Sequence, residues 1–292
     1  MSATAASLRR KIATAGDLES VVRTMKAMAA SSIGQYENAV RALDDYDRTV
    51  QLGLLACFRQ PLPTTLRPRK HANDETIGAV VFGSDQGLVG QFNDHLGDFV
   101  VETLAKLPGR KVVWSVGERI QVRLAGSDLD VGVQFPLPNS IGAITTLVGQ
   151  VLQEVENRRA AGEIGQVYLF HNRPRSGAIY EPVSQRLLPL DDAWQKEISA
   201  RSWPSRNLPE IMPGGEQTLF AFVREYLFVS LFRACAESLA SENASRLTAM
   251  QRAEKNIDEL LENLDSDFHR LRQSAIDEEL FDVVSGFEAY GR

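Results

Sequence analysis

The sequence predicts an α/β protein in which a long antiparallel coiled coil of N- and C-terminal helices accompanies a Rossmann-like α/β domain. Two observations predict this fold class. Apolar residues recur at alternating intervals of three and four over many turns at both ends, and strand-like and helix-like segments alternate between them. The expected segments are residues 1–60, a linker at 61–75, the α/β domain at 76–210 and the second long helix at 211–292.

The N-terminal segment carries the first apolar stripe. Three charged members interrupt it, and at each one the preceding residue, Leu18, Met25 or Tyr46, supplies an apolar side chain. We therefore expect the seam to shift sideways there and continue. No proline occurs before Pro61, so one helix can span the whole segment. The stripe consists of Leu8, Ile12, Ala15, Glu19, Val22, Lys26, Ala29, Ile33, Tyr36, Val40, Leu43, Asp47, Val50, Leu54 and Cys57.

The middle of the chain begins after a proline-rich, charged stretch, "RQPLPTTLRPRKHANDE", which is typical of a linker. Buried strands are predicted at "TIGAVVFG", "KVVWSVG" and "GQVYLFHN", and an amphipathic helix at "IGAITTLVGQVLQEVENRR". The prolines of "PVSQRLLPL" place a further strand at a sheet edge. This alternation indicates a small α/β domain with a mostly parallel sheet.

The C-terminal segment repeats the stripe, and only Glu254 breaks it before a shift by one residue to Ile276, Leu280 and Val283. Helices of about 75 Å (Leu8 to Cys57) and about 105 Å (Glu216 to Phe287) do not fit inside a compact domain. We expect them to pair antiparallel, with the second helix outrunning the first; pairing with another protein or in a homodimer is the alternative. The stripe consists of Leu247, Met250, Glu254, Ile257, Leu261, Leu264, Phe268, Leu271 and Ala275.

Composition excludes several classes of function. The net charge is −6 and basic residues are interspersed with acidic ones, so nucleic acid is not an expected partner. Two distant cysteines, Cys57 and Cys235, and four isolated histidines form no metal motif, and packed, reduced thiols are expected. No apolar run is long enough for a membrane span, and the N-terminus lacks the features of a signal peptide.

The stretch "GSDQGLVGQFN", Gly83 to Asn93, is rich in glycine and resembles a phosphate-binding loop. A Walker A loop requires a lysine after its last glycine, and a dinucleotide fingerprint requires a different glycine spacing. Phosphate binding by backbone alone stays open. We favour a structural role in which Ser84 and Asp85 cap a helix or turn, and we expect no cofactor.

Five stretches of the sequence resemble the gamma subunit of F-type ATP synthases. "LRRKIATAGDLESVVRTMKAMAAS" resembles that family's N-terminal helix. "SLASENASRLTAMQRAEKN" resembles N-L-A-S-E-x-A-A-R-M-x-A-M-x-x-A-x-x-N, and "RQSAIDEELFDVVSG" resembles R-Q-A-x-I-T-x-E-L-x-E-I-V-S-G. The loop resembles S-D-R-G-L-C-G-G-x-N, and "LLPL" also has a counterpart, so the resemblance runs end to end.

The chain also departs from the family pattern. Gln86, Val89 and Gln91 replace an arginine, a cysteine and a glycine of the loop, and Lys26 stands where a glutamate usually follows the helix methionine. These departures weaken any function assigned to the loop. With these departures, the sequence resembles the alternate, N-type rotary ATPases that some bacteria carry beside their main enzyme.

The resemblance implies a central rotor shaft inside a ring of alternating alpha and beta subunits. The α/β domain is then expected to meet the epsilon subunit and the membrane ring of c subunits, at the cytoplasmic face of a bacterial inner membrane. By matching positions, Arg272 and Gln273 are expected to contact a beta-subunit loop. Met25, with Arg23 and Lys26 beside it, matches the region that meets the lever-like segment of beta.

Two rival classes predict other features. A nucleotide-dependent α/β enzyme requires a catalytic constellation in the middle domain, and the sequence offers no Ser-His-Asp, Cys-His or metal cluster there. A coiled-coil tether or scaffold with a non-catalytic α/β domain predicts stable homodimers. The terminal motifs favour the rotor, in which this chain supplies no catalytic residue of its own.

Overall fold

The computed structural model describes residues 4–59, 76–175, 178–190, 192–207, 209–211 and 215–290. The chain divides into two compact units, one made of residues up to Ala29 and from Arg246 onward, the other of Ala30–Ser245. The linker predicted at 61–75 lies outside the described residues. The segment boundaries predicted from the sequence stay a prediction.

Eleven elements occur in the described ranges. The helices are α1 (Ala5–Phe58), α2 (Phe92–Ala105), α3 (Glu118–Ala125), α4 (Ile141–Ala160), α5 (Asp192–Ser199) and α6 (Gly215–Tyr290). The strands are β1 (Ile77–Phe82), β2 (Lys111–Val116), β3 (Asp130–Phe135), β4 (Gln166–Arg175) and β5 (Ala178–Leu188). The predicted fold class, long terminal helices with a Rossmann-like α/β domain, is confirmed.

The sheet has the strand order β3-β2-β1-β4-β5. Its first four strands are parallel, and β5 runs antiparallel to β4 at the edge, as its prolines predicted. The strand β3 and the helix α5 were not predicted. Side chains of β1 alternate between two apolar layers: Ile77, Ala79 and Val81 face α2 and α3, whereas Val80 and Phe82 face the layer that contains α4.

The two long helices pair antiparallel within each unit. In the first unit Arg9 lies 5.4 Å from the ring centre of Phe268, and Lys26 meets Glu254, so partner numbers fall along α6 as they rise along α1. In the second unit Arg233 contacts Asp44 at 2.8 Å, and this contact again joins α1 to α6. Intramolecular pairing was therefore the right choice among the alternatives.

The predicted N-terminal stripe is buried or half-buried at every position from Leu8 to Cys57, including its charged members. The expected sideways shift was wrong at Glu19 and Asp47, because Leu18 and Tyr46 are 52% and 44% exposed, whereas Met25 beside Lys26 is half-buried. The seam keeps its heptad position and pairs its charges instead. Asp47, for example, accepts a hydrogen bond from the Gln51 amide at 3.0 Å and faces Arg233 at 3.4 Å. A paired charge costs far less to bury than an isolated one.

Candidate partner-binding site on the paired helices

The predicted partner-binding residues form two groups in the first unit. Arg23, Met25 and Lys26 follow one another on α1, and Arg272 and Gln273 lie on α6. Glu254, which faces the first group, precedes Arg272 by 18 residues, or about 27 Å along a helix axis. The structure thus brings three of the five residues together and leaves the other two farther along α6.

The first group is built around a charge pair in the seam. The Lys26 ammonium lies 2.5 Å from a carboxylate oxygen of Glu254, and Arg23 Nε lies 3.8 Å from the other oxygen. Arg23 also pairs with Glu19 one turn away on α1. The Lys26 and Glu254 side chains keep only 32% and 19% of their area exposed. A pair at facing seam positions fixes which residues of two helices lie opposite each other.

Met25 borders this seam and is half-buried. On its outer side α1 exposes further apolar residues, Leu18, Val21 and Met28, at helical spacings of three and four. Leu260 on α6 is also 49% exposed. The flexible thioether of Met25 therefore sits between a packed seam and an apolar row that faces solvent.

The second group opens an exposed stretch of α6. Leu271 is the last half-buried residue, and every side chain described from Arg272 to Val284 is exposed. Large apolar residues occur there: Ile276, Leu280, Phe281, Val283 and Val284 are 49–72% exposed. Exposed apolar clusters of this kind mark interaction surfaces. The stripe predicted to continue past Ala275 is therefore exposed at Ile276, Leu280 and Val283.

In the loop Gly83 to Asn93, the side chains of Ser84, Asp85 and Asn93 make hydrogen bonds within the protein. The Asp85 carboxylate accepts hydrogen bonds from the backbone N–H of Glu118, the first residue of α3, and of Leu137. The Asn93 amide bonds the backbone N–H and the hydroxyl of Ser84. The predicted capping role is confirmed for Asp85, which caps α3 although it is not adjacent to it in sequence. The Ser84 hydroxyl instead donates to the carbonyl of Gln86 within the loop.

A glycine at 117 explains why this loop packs so closely. Gly117 has φ +109°, and a Cβ there would stand 2.8 Å from the Ser84 backbone. Both the conformation and the distance exclude other residues.

The crevice at the carboxyl ends of the strands is filled by α6. Ligands of open α/β sheets bind where strand order reverses, which here is between β1 and β4. At that place Ser238 of α6 donates to the carbonyl of Phe82, the last residue of β1, and Ser241 donates to the carbonyl of Asn172 in β4. The position that would hold a ligand is thus occupied by a helix of the same unit.

Some functional features are not visible in the sequence pattern. In the sequence, Glu254 is visible only as a charged residue that interrupts the apolar stripe. The charged residue Lys26 in the stripe of the other helix was the signal that could have identified the two as a pair. The serines of "SLASENAS" gave no signal, because their acceptors are backbone carbonyls. In the described ranges, no group of three or more histidine, cysteine or acidic residues could hold a metal ion. None of the described helices has the length and apolar character of a membrane span.

The chain is similar to known proteins over nearly its full length. A sequence model described as ATP synthase matches residues 4–290. The chain belongs to the ATP synthase family. The ATP synthase gamma chain of Syntrophus aciditrophicus is 28% identical, covering 98% of both chains, and that of Granulibacter bethesdensis is 27% identical, covering 97% of this chain and 98% of its own. The gamma-chain resemblance of the terminal motifs is therefore confirmed.

A solved structure agrees with the fold of this ATP synthase family member. A chain of the mitochondrial ATP synthase of Euglena gracilis, in a structure titled OSCP/F1/c-ring, rotational state 3, superposes with a TM-score of 0.67. It is 17% identical, and the match covers 98% of this chain and 94% of that one. The long paired helices and the α/β sheet therefore belong to one architecture shared over nearly the full length.

Proposed function

We propose that this chain is the central rotor shaft, the gamma subunit, of a rotary ATP synthase, coupling ion flow across a membrane to ATP synthesis or hydrolysis. One observation carries the proposal: an antiparallel helix pair with charges fixed in its seam continues into an exposed stretch of α6 that bears the motif "RQSAIDEELFDVVSG". The family match supports the same role.

The paired helices suit a shaft because two packed helices resist bending and twisting more than one does. The Lys26–Glu254 pair adds resistance to sliding, since moving one helix along the other separates two partly buried charges. Stiffness matters because torque lost in bending does no work at the catalytic sites.

The asymmetry of the helix pair would then control catalysis by the beta subunits. Identical beta subunits differ in nucleotide affinity only if a partner interacts differently with each of their conformational states. A single helix pair with one basic and amide-bearing end, at Arg272 and Gln273, presents a different face to each subunit. Arg23, Met25 and Lys26 would form the second contact, with the lever-like segment of beta. Rotation would convert these contacts into a coupling free energy.

In this proposal the chain contributes no catalytic residue of its own, and ATP chemistry belongs to the ring of alpha and beta subunits. Segments 1–60 and 211–292 form the shaft, and the domain at 76–210, reached through the linker at 61–75, meets the epsilon subunit and the c ring. The chain would be peripheral to the membrane, as part of the ATP synthase complex at the cytoplasmic face of a bacterial inner membrane. The N-type branch is part of the same proposal.

The test is purification of the tagged chain from detergent-solubilised membranes, followed by mass spectrometry. We expect alpha, beta, epsilon and c subunits in constant ratio to the chain. Recovery of the chain only as a homodimer would contradict the proposal and support the tether or scaffold alternative.

A further inference from the structure

Three serines on one face of α6 reach backbone carbonyls elsewhere in the second unit. Ser238 donates to Phe82 at 3.0 Å, Ser241 to Asn172 at 3.1 Å and Ser245 to Val89 at 2.6 Å. Their side chains are buried. The spacings of three and four keep the hydroxyls on one side of the helix. About two turns of α6 are thereby bonded to the end of β1, to β4 and to the loop between β1 and α2.

Such bonds are unusual for serines inside a helix. A serine in mid-helix commonly bonds a carbonyl of its own preceding turn, as the amide of Asn243 does here with Leu239. These three serines instead cross to segments that lie 69 to 156 residues away in sequence. The small side chain also lets the helix approach the strand ends closely.

The acceptors of these hydrogen bonds are themselves held in place. The side-chain amide of Asn172 donates to the carbonyl of Phe92 at 3.1 Å, which ties β4 to the start of α2. Glu237, beside Ser238, meets His171 Nε2 at 2.8 Å. Phe82 and His171 are paired in register across β1 and β4. The helix is therefore bonded to a braced part of the sheet.

Directional bonds and apolar packing respond differently to rotation of a helix. Apolar contact is non-directional, so its energy changes only gradually when a packed helix turns by a small angle. A hydrogen bond weakens steeply as its angle departs from linearity. Three hydroxyls on one face, aimed at three fixed carbonyls, lose alignment together when the helix turns about its axis.

We propose that Ser238, Ser241 and Ser245 are positioning residues that transmit torque between the sheet and α6. The inference rests on the proposed rotor function, in which the α/β domain is driven and α6 continues as part of the shaft. The hydroxyls are not contacts for a subunit or a nucleotide. They hold the helix at one rotational angle against the sheet while load is applied.

The experiment compares two activities of the assembled complex in vesicles: ATP hydrolysis with the ion gradient collapsed by ionophores, and ATP synthesis driven by an imposed gradient. The test variant combines Ser238→Ala, Ser241→Ala and Ser245→Ala. We expect its hydrolysis to stay within about twofold of the wild type and its synthesis to fall by about fivefold or more, since only synthesis works against load.

Two controls separate torque transmission from general loss of packing. Val229→Ala removes non-directional contact from a residue of the same helix that is 2% exposed, and it should lower both activities in proportion. Ser245→Thr keeps a hydroxyl and should retain most of the synthesis. If the triple variant does not assemble, the three single alanine variants are measured, and each should lower the ratio of synthesis to hydrolysis.

A ratio equal to that of Val229→Ala, in the triple or in all single variants, would overturn the inference while the complex itself still supports the rotor function. Failure of the wild-type chain to purify with alpha and beta subunits would instead refute the proposed function. Quantifying subunit stoichiometry in every preparation distinguishes these two results.

Discussion

Residues 227–245 and residues 272–284 belong to one helix, α6, yet they differ in the burial and the size of their side chains. The earlier stretch is mostly buried and rich in small residues, such as Ala234, Ala236 and Ala240, with hydroxyls directed at backbone carbonyls. The later stretch exposes large apolar side chains next to Arg272 and acidic residues. Small and hydroxyl side chains therefore mark a face whose partners lie in the same chain. Large exposed ones mark a face that we propose is completed by other subunits.

The largest expected effect on stability comes from the same substitution, leucine to alanine, made at two places on α6. Leu231 is 1% exposed and Leu280 is 63% exposed. Leu231→Ala should lower the free energy of unfolding by about 2–5 kcal/mol, because it leaves a cavity. Leu280→Ala should change it by less than about 0.5 kcal/mol. Urea unfolding followed by circular dichroism measures both, and equal effects would show that the two stretches do not differ in packing.

The seam charges give a second test. Lys26→Glu would place two carboxylates in contact and should cost about 1–2 kcal/mol, less than a fully buried pair because Lys26 keeps solvent contact. The double variant Lys26→Glu with Glu254→Lys should recover most of the loss. A double-mutant cycle from urea unfolding measures the coupling. No recovery in the exchanged pair would mean that the two side chains do not fix the register of the helices.

The exposed end of α6 should affect activity and leave stability unchanged. Arg272→Ala and Gln273→Ala should each reduce ATP hydrolysis by the assembled complex about fivefold, which is about 1 kcal/mol of lost transition-state stabilisation. The matched control is Arg270→Ala, whose side chain is 81% exposed and pairs with Asp267 one turn away. Equal losses at Arg270 and Arg272 would argue against a specific contact.

The last prediction concerns the two thiols of the second unit. Burial raises the pKa of both Cys57 and Cys235, and a thiol with a raised pKa forms less of the reactive thiolate. Both should react with a disulfide reagent at pH 8 much more slowly than after unfolding in urea. Fast reaction of either thiol in the folded chain would show that its surroundings open readily.

The helix stripes could be read from the sequence because a 3.5-residue period is a local signal. Every predicted member from Leu8 to Cys57 is at least half-buried. The predicted shift of the seam at its charged residues failed because the sequence of one helix does not show which residues of the other helix face it. Lys26 stays in the seam since Glu254 lies opposite, and that requires the register of two segments 228 residues apart.

The sheet was only partly predictable. Apolar runs in the sequence predict strands β1, β2 and β4, whereas β3 is exposed at most positions and carries no such run. The serine bonds of α6 were not predictable at all, since a hydroxyl in a helix has no periodic signature and its acceptors are backbone atoms. The motif that contains them was recognisable only by resemblance.

The most direct test of the rotor function is to watch this chain turn. Because both native thiols are buried, a Lys106→Cys substitution at the exposed residue that follows α2 gives one accessible site for a bead or gold particle. The alpha and beta ring, assembled with this chain, is fixed to glass and supplied with ATP. Stepwise rotation in one direction, stopped by removing ATP, is the predicted result. Steady ATP hydrolysis by the labelled complex with no rotation of the particle would contradict the shaft.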